Sequence, residues 1–194
     1  MSSLPTPFLT PKQYLDAERK ADSRSEYVDG QMYAMSGASW QHGRITVNVT
    51  TQLNDQLADT RCEVRANDQR VRAKPGGPYY YPDVVVVCGK PEFEDAEFDT
   101  LLNAKLIVEV LSPSTESYDR GAKFDKYRQM QSLAEYLLIS QTRVHIEHYV
   151  LSPSGSWRST ERSDPNGVLE LSSIGVRLKV ADIYNRVRFG AGNP

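Results

Sequence analysis

Two apolar runs, YPDVVVVC at 81 to 88 and LIVEVLS at 106 to 112, constrain the fold of this chain more than any other feature. Neither alternates between apolar and polar residues as a half-exposed strand would. Both are therefore predicted to be central strands of a sheet covered on both faces. Each nevertheless carries a carboxylate: Asp83 at the mouth of the first, Glu109 in the middle of the second. Taking an ionised carboxylate out of water costs on the order of several kcal/mol unless a cation, a metal or a good set of hydrogen bonds meets it. The placement needs a cause.

Neighbouring strands that each offer an acid would meet that need with one divalent cation. Mg²⁺ and Mn²⁺ take oxygen ligands, often one or two carboxylates completed by water and phosphate oxygens, and such an ion would offset the mutual repulsion of Asp83 and Glu109. Taken singly, Asp83 reads equally well as a turn residue after Pro82, and Glu109 as the partner of a lysine. The segment SPSTESYDRGAKFDKYRQM supplies that lysine. On a helix from about Tyr118 to Met130, the residues Phe124, Tyr127 and Met130 define the inward arc, with Lys123 inside it and Lys126 at its edge. Beside the acids, Lys123 would orient or help deprotonate an attacking water and offset charge building on a phosphorane-like transition state.

The rest of the chain supplies a mixed α and β order with no internal repeat. Thr10-Pro11 predicts a helix to about Lys20 with Tyr14, Leu15 and Ala17 as its buried side. Asp29-Gly30 predicts a hairpin with Glu26 on its first strand. Ile45, Val49, Leu53 and Leu57 form one stripe of a long helix from Ser39 to about Asp59. CEVRA and QRVRA, flanking Asn67-Asp68, read as a pair of strands, and the Lys74 to Pro78 segment as a turn. EYLLIS, VHIEHYVL and weaker segments around Trp157 and Val168 complete the strands. His145 and His148 fall on opposite faces of one strand and cannot share a zinc ion.

At 194 residues with 39% hydrophobic and 25% charged side chains, the chain is expected to form one domain over 1–194. A net charge of −2 and a pI near 5.9 argue against an indiscriminate DNA coater and leave nucleic-acid binding to a local patch. Two basic clusters could form a phosphate-tracking rim: Arg61, Arg65, Arg70, Arg72 and Lys74 before the site, and Arg120, Lys123, Lys126 and Arg128 after it. Cys62 and Cys88, far apart in sequence, suit reduced thiols. The N-terminal MSSLPTPFLTPK lacks a basic segment followed by an apolar stretch, and no long apolar run occurs. A cytoplasmic protein without a membrane span is the expectation.

The ordered set EYVDGQMYAMSGAS, YPDVVVV, LIVEVLSPST, DRGAKFDKY and LAEYLLIS resembles the Uma-type family of putative restriction endonucleases, within the PD-(D/E)XK nuclease superfamily. The resemblance runs from about Glu26 to Tyr184. It implies a restriction-endonuclease-like α/β fold, with a four- to five-stranded mixed sheet flanked by helices. It also implies Mg²⁺- or Mn²⁺-dependent cleavage of nucleic acid, most simply DNA, with Asp83 and Glu109 as metal ligands and catalytic acids. The superfamily pattern would put lysine at 111, where this chain has Leu111; in the Uma-type family a helical lysine takes over, and Lys123 matches it. Glu26 and His42 match further family positions. Cutting both strands would call for two sites and hence a homodimer. The alternative reading is a catalytically silent nucleic-acid- or protein-binding module on the same fold.

Overall fold

Helix α1 (Pro11–Glu18) starts where Thr10 caps it, with a reciprocal contact to Gln13 and a proline that pre-sets the first turn. The computed structural model describes residues 8–190, so most of the N-terminal stretch read for a leader lies outside the described residues. Tyr14, Leu15 and Glu18 form the buried side of α1, while Ala17 faces solvent. Glu18 is admitted because its carboxylate accepts the Ser25 N–H at 2.9 Å and the Tyr81 hydroxyl at 3.0 Å. Asp29 and Gly30, with φ of 47° and 86°, turn the chain between β1 (Ser25–Val28) and β2 (Gln31–Ala34). The long α2 (Trp40–Leu57) buries the predicted stripe, Ile45, Val49, Leu53 and Leu57, which overrides the weak helix propensity of its β-branched residues.

Strands β3 (Cys62–Ala66), β4 (Arg70–Arg72), β5 (Tyr79–Tyr80), β6 (Val84–Cys88), β7 (Thr100–Leu101) and β8 (Leu106–Leu111) follow. Then come α3 (Glu116–Tyr118), a π-helical turn (Asp119–Lys123) and α4 (Phe124–Tyr127), joined as one continuous helical segment. The chain ends in β9 (Glu135–Ser140), β10 (Ile146–Leu151), β11 (Trp157–Arg162), β12 (Val168–Leu171), β13 (Val176–Lys179) and α5 (Val180–Ile183). The central sheet is six-stranded and wider than the family resemblance implies, in the order β11-β10-β9-β8-β6-β3. Its β8 and β9 run parallel and its other pairs antiparallel. A second sheet, β2-β1-β5-β4-β7, packs the hairpin beside it, and β12 and β13 form a separate ribbon.

β6 and β8 are central and buried on both faces, as their lack of alternation predicts. One face packs Val84, Val86, Val108 and Val110 under α2. The other packs Val85, Ile107 and Leu111 against Phe124 and Tyr127.

Two expectations are corrected. CEVRA and QRVRA do not pair: β3 joins β6, while β4 joins β5 and β7 in the other sheet. The chain crosses between sheets at Asn67, which adopts φ of 60° and donates its N–H to the Asp83 carbonyl. Cys62 and Cys88 are not separate thiols but a disulfide, because the antiparallel register sets them directly opposite each other across β3 and β6. The inference from free thiols to a reducing compartment loses its premise. Among the described residues, no helix is long and apolar enough to cross a membrane.

Candidate active site

Asp83 explains the proline-aspartate opening of its strand. In the antiparallel register Val84 faces Val108, so Asp83 lies one step further, opposite Glu109. There its Oδ2 accepts the Val110 N–H at 2.7 Å, and the side chain takes over hydrogen bonding where the β6 backbone leaves the ladder. His42 Nε2, in the first turn of α2, stands 3.3 Å from the same oxygen. Burial opposes the imidazolium, but the Asp83 contact outweighs it and raises the His42 pKa above its ordinary 6.5.

Glu109 projects from β8 on the face of Ile107 and Leu111 and is 5% exposed. Its Oε1 accepts the Tyr127 hydroxyl at 2.9 Å and faces Lys123 Nζ at 2.9 Å. Lys123 is itself buried, with Nζ 2.9 Å from Glu26 Oε1 and 3.6 Å from Asp119 Oδ1, over the rings of Tyr80 and Tyr127. Lys126 lies outside the group, 3.9 Å from Asp29. Glu26 arrives on β1, and its Oε1 also accepts the Tyr81 N–H at 3.3 Å.

The structure thus brings Asp83, Glu109, Lys123, Glu26 and His42 to one end of the central strands, from both sheets and two helical segments. Acids outnumber cations there. Burial, reinforced by Asp119, Asp83 and Glu26, pushes the Glu109 carboxyl well above its ordinary range despite Lys123. Lys123, though burial works against its charge, holds its proton more tightly than an ordinary lysine because Glu109, Glu26 and Asp119 face it. The acid surplus adds to burial at Glu109 and overcomes burial at Lys123.

Several members escaped the sequence reading. Asp119 and Tyr127 stand four residues before and after Lys123, a helical spacing that could have found them. The π-helical turn carries no such signal. It disturbs the regular backbone ladder, and the Asp119 carbonyl accepts the Tyr136 hydroxyl at 3.1 Å. Gln141 spans two elements: its Nε2 donates to the Leu111 carbonyl at 2.9 Å, and its Oε1 accepts from Ser39, the cap of α2. Leu111, where the superfamily pattern would put lysine, is 2% exposed and packed in the core beside Phe124.

The donor set fits a hard divalent ion of the two-acid kind. Among the described residues, Asp83 Oδ1 and Glu109 Oε2 accept no hydrogen bond, while their sister oxygens are held. No group of three or more His, Cys, Asp or Glu side chains among the described residues is placed to enclose a metal, so water and substrate oxygens would complete the shell.

The expected phosphate-tracking rim is largely spent on ion pairs. Arg70 is buried against Asp99, Arg72 pairs with Glu94, and Arg65 with Glu63. Arg120 reaches Glu147 and Glu116, and Arg128 reaches Asp125.

A family model described as Uma2, putative restriction endonuclease, matches residues 11–181. Two uncharacterized proteins of Synechocystis are similar over most of their length. One, slr1290, is 39% identical over 96% of this chain and 97% of its own; the other, sll1609, is 36% identical over 86% and 94%. A crystal structure described as a putative nuclease belonging to DUF820, from Anabaena variabilis, superposes with a TM-score of 0.74 at 14% identity, covering 91% of this chain and 97% of that one.

Proposed function

Because the chain belongs to the Uma2 family of putative restriction endonucleases, we propose that it is a divalent-metal-dependent endonuclease acting on nucleic acid, most simply DNA. The observation that carries this reading is the pair of carboxylate oxygens on Asp83 and Glu109 that accept no hydrogen bond, beside a buried lysine. Asp83 and Glu109 would hold Mg²⁺ or Mn²⁺, which when bound polarises the scissile phosphate and its attacking water.

The chain's own residues do the rest. His42 and the Val110 N–H fix Asp83 Oδ2 and so leave Oδ1 as the oxygen free to bind the ion. Tyr127 and Lys123 fix Glu109 Oε1 in the same way. Glu26 and Asp119 hold the ammonium of Lys123 in place, where it orients the water and offsets charge on the phosphate oxygens. Lysine on the helix replaces lysine on the strand because position 111 faces apolar core.

The test is cleavage of plasmid and single-stranded DNA with Mg²⁺ and with Mn²⁺. Asp83→Ala, Glu109→Ala and chelator should each abolish it, and activity surviving the double variant would sink the site. A second reading is favoured by the internal neutralisation of Lys123 between Glu26 and Glu109: a silent module that binds nucleic acid without cutting. Calorimetric titration of Mn²⁺ separates the two, since only a metal site loses binding on Asp83→Ala.

A further inference from the structure

Arginines are distributed unevenly around the site. On the side of β3, β4 and the helical segment all but Arg61 are tied to carboxylates, as described above. On the side of the α2 N-terminus they are not: Arg44, Arg143 and Arg188 have no acidic partner within 4.0 Å among the described residues. Arg44 is half-buried and the other two are exposed.

These three belong to segments bound into one surface. Ser39, the cap of α2, bonds Gln141, and Arg143 lies two residues further along the same loop. The far end of that loop is held by Tyr184, whose hydroxyl donates to the His145 carbonyl at 2.9 Å and accepts the His145 N–H at 3.1 Å. The chain beyond Tyr184 returns to α2, where Gln41 Nε2 donates to the Arg188 carbonyl at 3.3 Å. Trp40 opens the same helix, 74% exposed and two residues from His42, which touches Asp83.

Resting on the nuclease reading, we infer that this face is the path of the substrate strand and that the strand is single-stranded or locally unpaired: Arg44, Arg143 and Arg188 contact its phosphates and Trp40 stacks on a base. Unpaired guanidiniums suit phosphate, whereas the paired arginines opposite would have to give up a carboxylate first. An indole so exposed offers a stacking face that a base inside a duplex cannot use but an unpaired base can. Trp40 and Arg44 flank His42, which touches Asp83, so a strand lying on this face is led toward Asp83 and Glu109.

The test is fluorescence anisotropy of a labelled oligonucleotide, single-stranded or annealed, on the intact protein in EDTA, so that binding is read without cleavage. The combined Arg44→Ala, Arg143→Ala and Arg188→Ala variant should lower the slope of log K against log salt by about 2 for single strands. A control replacing the ion-paired, exposed Arg65, Arg128 and Arg177 by alanine should leave it near the wild-type value. Trp40→Ala should weaken single-strand binding by about 5- to 100-fold and spare the duplex. An unchanged slope in the triple variant, or equal single- and double-strand affinity with no effect of Trp40→Ala, overturns the inference. So does dissociation of a dimer by the triple variant at unchanged oligonucleotide affinity, which would give the face to a second copy. Wild type that cuts DNA with Mg²⁺ while the triple variant binds normally removes the path alone; wild type that binds no nucleic acid removes the nuclease reading as well.

Discussion

Each face of the central sheet buries a carboxylate against a basic side chain, and the two contacts are built differently. On one face Glu109 meets Lys123 with Glu26, Asp119 and Asp83 around them. On the other, Glu135 on β9 is 0% exposed, with Oε2 against His148 Nε2 at 2.5 Å and Oε1 accepting the Ser173 N–H at 2.6 Å. Glu135 is saturated: one acid, one imidazole partner, and a contact on each oxygen. The Glu109 group has more acids than cations and keeps oxygens in reserve. Burial of charge is common to both, so burial alone does not mark a site; surplus and open valence do.

The largest expected effect follows from that surplus. Lys123→Ala should lower turnover by about 10²- to 10⁴-fold while leaving Mn²⁺ binding largely intact, because the lysine acts on water and phosphate rather than as a ligand. His148→Leu, at the saturated pair, should leave turnover within a few-fold. Single-turnover cleavage and calorimetry on both variants check this, and equal loss of activity at the two positions would erase the distinction between them.

Stability should rank them the other way. His148→Leu leaves Glu135 Oε2 without its hydrogen-bond partner in a buried setting and should cost about 1 to 3 kcal/mol in urea unfolding. Lys123→Ala should cost less, since Glu109 can remain neutral among its acidic neighbours. Finding Lys123→Ala the more destabilising would mean that the cluster is a structural ion pair.

The same distinction shows what the sequence made legible. Asp83, Glu109 and Lys123 were visible because each violates its surroundings: an acid opening a valine strand, an acid inside an apolar run, a lysine on an inward arc. Glu135 violates nothing at the edge of EYLLIS, so its burial could not be foreseen; the turn that carries Ser173, 38 residues away, covers it. The disulfide was hidden for a related reason, since only the register of β3 against β6 makes Cys62 and Cys88 neighbours. Strands and long helices follow from local pattern, whereas the π-helical turn, the tyrosine hydroxyls and the ion-paired arginines depend on which elements meet.

Protonation sharpens the contrast further. Glu109 has a folded pKa raised well above its ordinary 4.5, so between those values the native metal-free state binds more protons than the unfolded state. Its contribution to stability is therefore present below 4.5 and lost as pH rises through the raised value. Lys123 and His42, also raised, contribute below 10.5 and 6.5 and lose that contribution above them. Metal must displace the Glu109 proton, so apparent Mn²⁺ affinity should climb about tenfold per pH unit through this window and then level off. Titrations at several pH values on wild type and Glu109→Gln check it; a wild-type affinity flat from acid to neutral pH would show that Glu109 is not a ligand.

The smallest effect isolates one hydroxyl. Tyr127 packs its ring 5.1 Å from Tyr80 and 5.7 Å from Tyr136, and its hydroxyl donates to Glu109 Oε1. Tyr127→Phe keeps the packing and removes only the donor, so unfolding free energy should fall by about 1 to 2 kcal/mol, far less than a cavity would cost. A hydrogen bond to a carboxylate favours its ionised form, so losing it should raise the Glu109 pKa further. The pH midpoint of Mn²⁺ binding should then move upward, with turnover at high pH close to wild type. A midpoint that stays in place while stability falls would reduce Tyr127 to a packing residue and make Glu109 Oε1 the responsibility of Lys123 alone.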